Sequence, residues 1–194
     1  NQPPQELEMV SLSSLLLPIV LSGVFVFLAS FLMHMVLPHH RSDFKKLPDE
    51  AGVMDALRKF NIPPGDYMTP KPASMEDMRS QGYKDKLTKG PVLITTVLPN
   101  GMRGMGAQLG QWFIFCLVVS TFSAYLASRT LAPGTEYLKV SQIASTTAFM
   151  GYILAQWAQV VWYRKSVSAT IKSTIDALLY GLITGGTFGW LWPH

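Results

Sequence analysis

The chain has 194 residues, of which 48% are hydrophobic and 14% are charged, with a formal net charge of +4. Soluble domains carry about 25% charged residues, so this composition argues against an ordinary soluble protein and favours an integral membrane protein. The charges cluster between residues 41 and 103. The positive balance therefore indicates membrane orientation rather than nucleic-acid binding. The single cysteine, Cys116, excludes an intrachain disulfide.

The first apolar stretch covers residues 11–37 and follows an outer N-terminal tail at residues 1–10. It contains no Lys, Arg, Asp or Glu, and it is long enough to cross a hydrocarbon core about 30 Å thick. Pro18 lies about two turns into this stretch, and Pro38 marks its end. No basic region precedes it and no small-residue cleavage site follows it, so we expect a persistent transmembrane helix rather than a signal that is removed.

Residues 38–106 form a hydrophilic insert with the pattern of a small α/β fold. Capping patterns predict two short helices, and β-branched residues predict a strand with a possible partner strand. The helices start near Asp49 and after Ser74, the second running to about Lys86; the strand covers 92–98 and its partner 67–69. So small a fold has few core residues, and we expect it to rest on the membrane surface or on a partner protein.

Three further apolar stretches have the length of membrane spans: 107–131, 142–163 and 169–192. The stretch at 142–163 ends in aromatic residues before Arg164 and Lys165, and the last stretch closes with Trp190 and Trp192. Aromatic belts of this kind occur where helices leave the bilayer. The sequence therefore predicts an all-α membrane bundle of four transmembrane helices, with a small α/β cytoplasmic insert between helices 1 and 2.

Lysine and arginine are distributed unevenly around these four spans. Eleven lie in the insert and three near the junction of the last two spans, whereas only Arg129 and Lys139 lie between the second and third spans. Because positive residues favour the cytoplasmic side, we expect the insert at 38–106 to be cytoplasmic and both termini to lie on the opposite side of the membrane.

Small residues predict where the helices approach each other. Glycines repeat at spacings of four along the fourth span, and small residues share one face of the third. They are Gly181, Gly185 and Gly189, and Ala144, Ala148 and Gly151. Since helices in lipid associate through close backbone approach, the third and fourth spans are predicted to form a tight pair.

Polar groups at depth in the spans need partners. Lys172 and Asp176 are four residues apart on one helix face and are predicted to form an intramembrane ion pair. A proton relay or transport site at Asp176 is the alternative. The remaining polar groups are four glutamines, for which we expect interhelical hydrogen bonds: Gln108, Gln111, Gln156 and Gln159.

Three histidines near the end of the first span are the candidates for a cofactor or metal site. His34 is a candidate pigment ligand, with an interfacial histidine bonded to backbone or lipid as the alternative. His39, His40 and Asp43 are candidate ligands of a divalent metal, but a further well-spaced ligand is not evident. No catalytic motif occurs. The sequence thus predicts no catalytic residue and no resident cofactor, and it leaves room for a lipid or pigment contact.

Four stretches are distinctive: MVLPHHRSD at 35–43, LPDE at 47–50, RTLAPGT at 129–135 and GTFGWLWP at 186–193. With them the chain resembles a group of uncharacterised bacterial four-helix integral membrane proteins. The resemblance implies a setting in the bacterial cytoplasmic (inner) membrane, with the termini periplasmic, and it brings no established activity.

Tight-packing spans, a small insert and no catalytic pattern together favour a non-catalytic accessory subunit of a larger membrane complex, such as a photosynthetic or respiratory one. Its expected partners are other membrane protein subunits and the lipid bilayer, not nucleic acid. The alternative is a small transporter or membrane enzyme that uses Asp176, His34 and the intramembrane glutamines.

Overall fold

A computed structural model describes residues 9–102 and 104–194 of the chain. It is mostly helical (69%) with one two-stranded sheet. Residues 1–8 of the predicted outer tail lie outside the described residues. In chain order the elements are α1 (Leu16–Phe31), α2 (Glu50–Arg58), β1 (Gly65–Thr69), α3 (Met75–Arg79), α4 (Gln81–Lys89), β2 (Leu93–Val97), α5 (Gly106–Thr130), α6 (Tyr137–Tyr163) and α7 (Val167–Trp190).

The chain divides into two compact units. The insert unit is Lys45–Arg103, and the helical unit comprises the described residues up to Phe44 and from Gly104 onward. In the helical unit α1 and α6 each pack against both α5 and α7, which makes a four-helix bundle. Relative to the predicted spans, α6 begins earlier, at Tyr137 rather than 142, and α7 begins at Val167 rather than 169.

Among the described residues, two stretches are long and apolar enough to cross a membrane: Leu12–Val36, which contains α1, and Gly106–Thr130, which is α5. Each has 25 residues. They correspond to the predicted spans at 11–37 and 107–131 and support a membrane location. Helices α6 and α7 have 27 and 24 residues, but serine, threonine and glutamine dilute their apolar character. That these two helices also cross the membrane stays a prediction.

The glycines of α7 lie where it meets α6. A Cβ added at Gly181 would lie 2.9 Å from the Ser145 carbonyl oxygen, and one at Gly189 would lie 2.6 Å from Ser141 Oγ. Ser141 Oγ also donates a hydrogen bond to the Gly185 carbonyl oxygen at 2.8 Å. Close backbone approach and a polar contact therefore hold the two helices together.

The small face of α6 is shared between two neighbours. Ala144 and Ala148 are fully buried. Gly151 faces α5 rather than α7, since a Cβ added there would meet Val119 at 3.2 Å. Because α6 packs against both α5 and α7, the small residues on one face of α6 do not all lie at its contact with α7.

In the insert unit β1 and β2 pair antiparallel, with Gly65 opposite Val97 and Thr69 opposite Leu93. The prediction of a small two-stranded sheet is confirmed. The second predicted helix is interrupted at Ser80, whose side chain accepts a hydrogen bond from the Tyr83 amide and caps α4. A serine within a predicted helix here starts a new one, because its hydroxyl satisfies a free amide at a helix N-terminus.

Candidate functional site

The end of the first helix turns back beside α7. A π-helical turn at Leu32–Val36 continues α1, and the amide of Leu37 donates to the Leu32 carbonyl at 3.0 Å. A 3-10 turn at Pro38–His40 follows and packs against α7. Proline favours such a turn because its fixed backbone angle suits a first helical position. The two turns bring three histidines to one side of α7.

These histidines converge on Asp176, which is only 2% exposed. His40 Nε2 lies 2.6 Å from Asp176 Oδ2, and His39 Nε2 lies 3.2 Å from Oδ1. His34 Nε2 is 3.9 Å from Oδ2, and its ring stacks on that of His40 with the centroids 4.3 Å apart. We call His34, His39, His40 and Asp176 the histidine–aspartate cluster.

A second carboxylate and a lysine border this cluster. Asp43 Oδ2 lies 2.6 Å from His40 Nδ1, while Lys172 Nζ donates to Asp43 Oδ1 at 2.7 Å and to Ser42 Oγ at 2.8 Å. The direct Lys172–Asp176 ion pair expected from the sequence is thus replaced by a Lys172–Asp43 pair. The segment after α1 places the Asp43 carboxylate next to Lys172, and the Asp176 oxygens contact the imidazole rings of His39 and His40.

The charges of this network shift the pKa values of His40 and Asp43, which lie outside the predicted membrane spans. Burial opposes protonation of His40, but hydrogen bonds and attraction from Asp43 and Asp176 raise its pKa above the usual 6.5. The Lys172 ammonium, followed by His40, lowers the pKa of Asp43 below its usual 3.8. Protonation of His40 is therefore favoured by the two carboxylates on either side of its ring.

We expect the Lys172–Asp43 pair to show a coupling energy of about 1–2 kcal/mol in a double-mutant cycle with Lys172→Met and Asp43→Asn. The side chains are only 20% and 15% exposed, so water screens their attraction weakly. The free energy of unfolding would be measured by SDS titration in detergent micelles. The matched control is the Lys139–Glu136 pair, 66% and 80% exposed at 3.8 Å, for which we expect less than about 0.5 kcal/mol. Equal coupling in both pairs would contradict the prediction.

Trp112 on α5 supports the cluster by a hydrogen bond to Ser30 on α1. The Ser30 carbonyl lies 3.1 Å from His34 Nδ1, and Ser30 Oγ accepts a hydrogen bond from Trp112 Nε1 at 2.8 Å. Ser30 Oγ in turn donates to the Phe27 carbonyl at 2.7 Å. A chain of hydrogen bonds therefore fixes the His34 ring relative to α1 and α5.

A cavity of about 320 Å³ adjoins the cluster inside the helical unit. His34 and Asp176 form part of its wall, together with Trp112, Gln156 and Tyr180. The Tyr180 hydroxyl is buried and has no hydrogen-bond partner among the described residues. A buried hydroxyl without a partner costs about 1–3 kcal/mol, so Tyr180 is a strained position next to this cavity.

The glutamines of the helices do not form the interhelical hydrogen bonds predicted from the sequence, as far as the described residues show. Within the part of the chain that the structure describes, none of the four forms a side-chain hydrogen bond to another helix; they are Gln108, Gln111, Gln156 and Gln159. Gln156 and Gln159 instead line a second cavity of about 350 Å³ beside Asp43. Because this cavity is open and partly polar, their amides are not forced to bond across helices.

Sequence reasoning identified all of the ionisable residues of the site but not their arrangement. His34, His39, His40 and Asp43 were one candidate group, and Asp176 belonged to another. The carboxylate that the histidines contact, that of Asp176, lies more than 130 residues further along the chain, on α7. The only local signal was a carboxylate within an apolar helix. Nothing in the sequence pointed to Ser30 or Trp112.

No family model, curated protein or solved structure matches this chain. The resemblance to bacterial four-helix membrane proteins therefore stays a prediction.

Proposed function

We propose that the chain is a four-span protein of the bacterial inner membrane, with the insert cytoplasmic and both termini periplasmic. In this proposal it serves as a non-catalytic accessory subunit of a larger membrane complex, such as a photosynthetic or respiratory one. The two apolar stretches support the membrane location. Helices α6 and α7 pack beside them and, at 1.5 Å per residue, each exceeds a hydrocarbon core of about 30 Å.

The observation that carries the subunit role is the lack of buried side chains in the insert unit. None of its described residues, 45–102, is buried. Large apolar side chains are exposed instead, including Phe60 at 73%, Met75 at 64% and Leu98 at 60%. A unit with helices and a sheet but no core gains little from the hydrophobic effect by itself, so an apolar partner surface would supply the missing burial.

The charges of the insert favour a protein partner over lipid. Between residues 45 and 103 the sequence has ten Lys or Arg and seven Asp or Glu, interspersed along the unit. Anionic lipid surfaces attract polybasic segments, and each acidic residue weakens that attraction. Mixed charges around apolar side chains are instead typical of protein interfaces, which have an apolar centre and a polar rim.

The test is purification of the native protein in mild detergent, followed by identification of what migrates with it. We expect a stable larger assembly in which Phe60→Ala weakens association about tenfold or more, because anchoring aromatic side chains contribute at least 1.4 kcal/mol. The matched control is Phe122→Ala on α5, which is similarly exposed at 62% and lies outside the insert. A lone monomer, or equal association in both variants, would contradict the accessory-subunit proposal.

A small transporter or membrane enzyme is the second candidate. The favouring observation is the cavity that His34, Asp176 and Tyr180 line. Intramembrane carboxylates next to polar cavities serve as relays and substrate sites. This candidate requires that Asp176→Asn and His34→Ala abolish a cellular function while the assembly stays intact; unchanged growth of both strains would remove it.

A further inference from the structure

We propose that the histidine–aspartate cluster binds a divalent first-row transition-metal ion of the Zn²⁺ type. The ligands are His34, His40 and Asp176, each of which offers one ligand atom, and these atoms all lie within 4.8 Å of one another. This site goes beyond the accessory-subunit role, which neither requires it nor depends on it.

The distances suit a small ion. In tetrahedral zinc sites the ligand bonds are about 2.0–2.2 Å, which places neighbouring ligand atoms about 3.3 Å apart. The two nitrogen–oxygen distances, 3.9 Å for His34 and 2.6 Å for His40, lie on either side of this value. Binding of one ion would also require the His34 and His40 rings, which stack with an interplanar angle of 11°, to tilt so that both Nε2 lone pairs point at it.

The outer contacts of both rings engage Nδ1, so Nε2 is the atom that binds a metal once the proton between His40 Nε2 and Asp176 Oδ2 is released. His34 Nδ1 faces the carbonyl of Ser30, which only accepts hydrogen bonds, so the proton is assigned to Nδ1 and the lone pair to Nε2. His40 Nδ1 faces the Asp43 carboxylate, which Lys172 holds in place. Histidines that bind metals almost always donate their other N–H to a carboxylate or a backbone carbonyl in this manner.

His39 occupies the other oxygen of the aspartate. Its Nε2 contacts Asp176 Oδ1 at 3.2 Å, while the other two rings face Oδ2. A hydrogen bond to Oδ1 orients the carboxylate and leaves Oδ2 for the ion. His39 is accordingly a positioning residue rather than a ligand.

Three protein ligands leave at least one coordination position open. Two histidines and one carboxylate are the ligand set of open sites, in which water or another small oxygen ligand completes the coordination. The cavity of about 320 Å³ is lined by His34 and Asp176, and Tyr180 is part of the same wall. A water-sized oxygen ligand on the ion is the class of molecule that this cavity would hold.

The experiment uses the full chain, purified in mild detergent and stripped with a chelator. Zn²⁺ is then titrated in competition with a chromogenic chelator, and bound metal is counted by elemental analysis after dialysis. We expect one Zn²⁺ per chain, with at least a 100-fold loss of affinity in His40→Gln and in Asp176→Asn. Asp43→Asn, which removes only an outer contact, should lose about 10–100-fold. The matched control is His194→Gln, a histidine outside the cluster, whose affinity should equal that of the unaltered chain.

Co²⁺ supplies a readout of geometry, because a nitrogen–oxygen site of low coordination number gives intense visible absorption that octahedral hydrated Co²⁺ lacks. If Asp176→Asn does not fold, His34→Gln replaces it, since His34 is half exposed and tolerates substitution better. The proposal is overturned if the unaltered chain retains no stoichiometric Zn²⁺. It is also overturned if His40→Gln and His34→Gln bind as tightly as His194→Gln.

Discussion

Replacing Gly185 with leucine is expected to separate α6 from α7 and to lower the free energy of unfolding by about 3 kcal/mol or more. A Cβ at this position would overlap the Ser145 side chain and lie 2.5 Å from the Ser141 carbonyl oxygen. The larger side chain would also break the hydrogen bond from Ser141 Oγ to the Gly185 carbonyl. SDS titration in detergent micelles, followed by circular dichroism, measures the loss.

The matched control is Gly110→Leu on α5. Nothing lies within 4 Å of a Cβ added at Gly110, and leucine favours a helix by up to about 1 kcal/mol over glycine. This variant should therefore be as stable as the unaltered chain or slightly more so. Similar stability of Gly185→Leu and Gly110→Leu would show that the α6–α7 contact is looser than described.

Replacing Asp176 with alanine is expected to cost about 2–3 kcal/mol in the chelator-treated protein. Its oxygens contact His39 and His40, and removing one partner from a largely buried polar network leaves the others without their hydrogen bonds. The cost stays below that of a fully buried ion pair, because 31% of the His39 side chain is exposed. Thermal unfolding in detergent with excess chelator isolates this effect from any contribution of a bound ion.

Asp55→Ala serves as the control for the same chemical change. Asp55 pairs with Arg58 on α2, and both side chains are about two-thirds exposed. Exposed pairs contribute little, so we expect a change below about 0.5 kcal/mol. If the two alanine variants differed by less than that amount, the network around Asp176 would have no role in stability.

Local features of the sequence anticipated much of the secondary structure. The acidic first turn after Pro48 corresponds to α2, where Asp49 accepts a hydrogen bond from the Gly52 amide. Ser74 likewise caps α3, and the β-branched run at 92–98 contains β2. Caps and strands are encoded within a few residues, so their patterns can be recognised without the fold. Ser80 was missed because one residue type serves both helix interiors and caps.

The sequence by itself determined the apolar stretches, the small-residue faces and the positions of the ionisable groups, because these depend on composition and on spacings of a few residues. Only the tertiary structure decided which groups meet. Asp176 lies 136 residues from His40, and Lys172 lies 129 residues from Asp43. Helical spacing favoured Lys172 and Asp176 as partners of each other. In the structure, side chains of the segment after α1 contact both: Asp43 pairs with Lys172, and histidines contact Asp176. The spacing of residues along one helix does not specify which distant segment of the same chain will pack beside that helix.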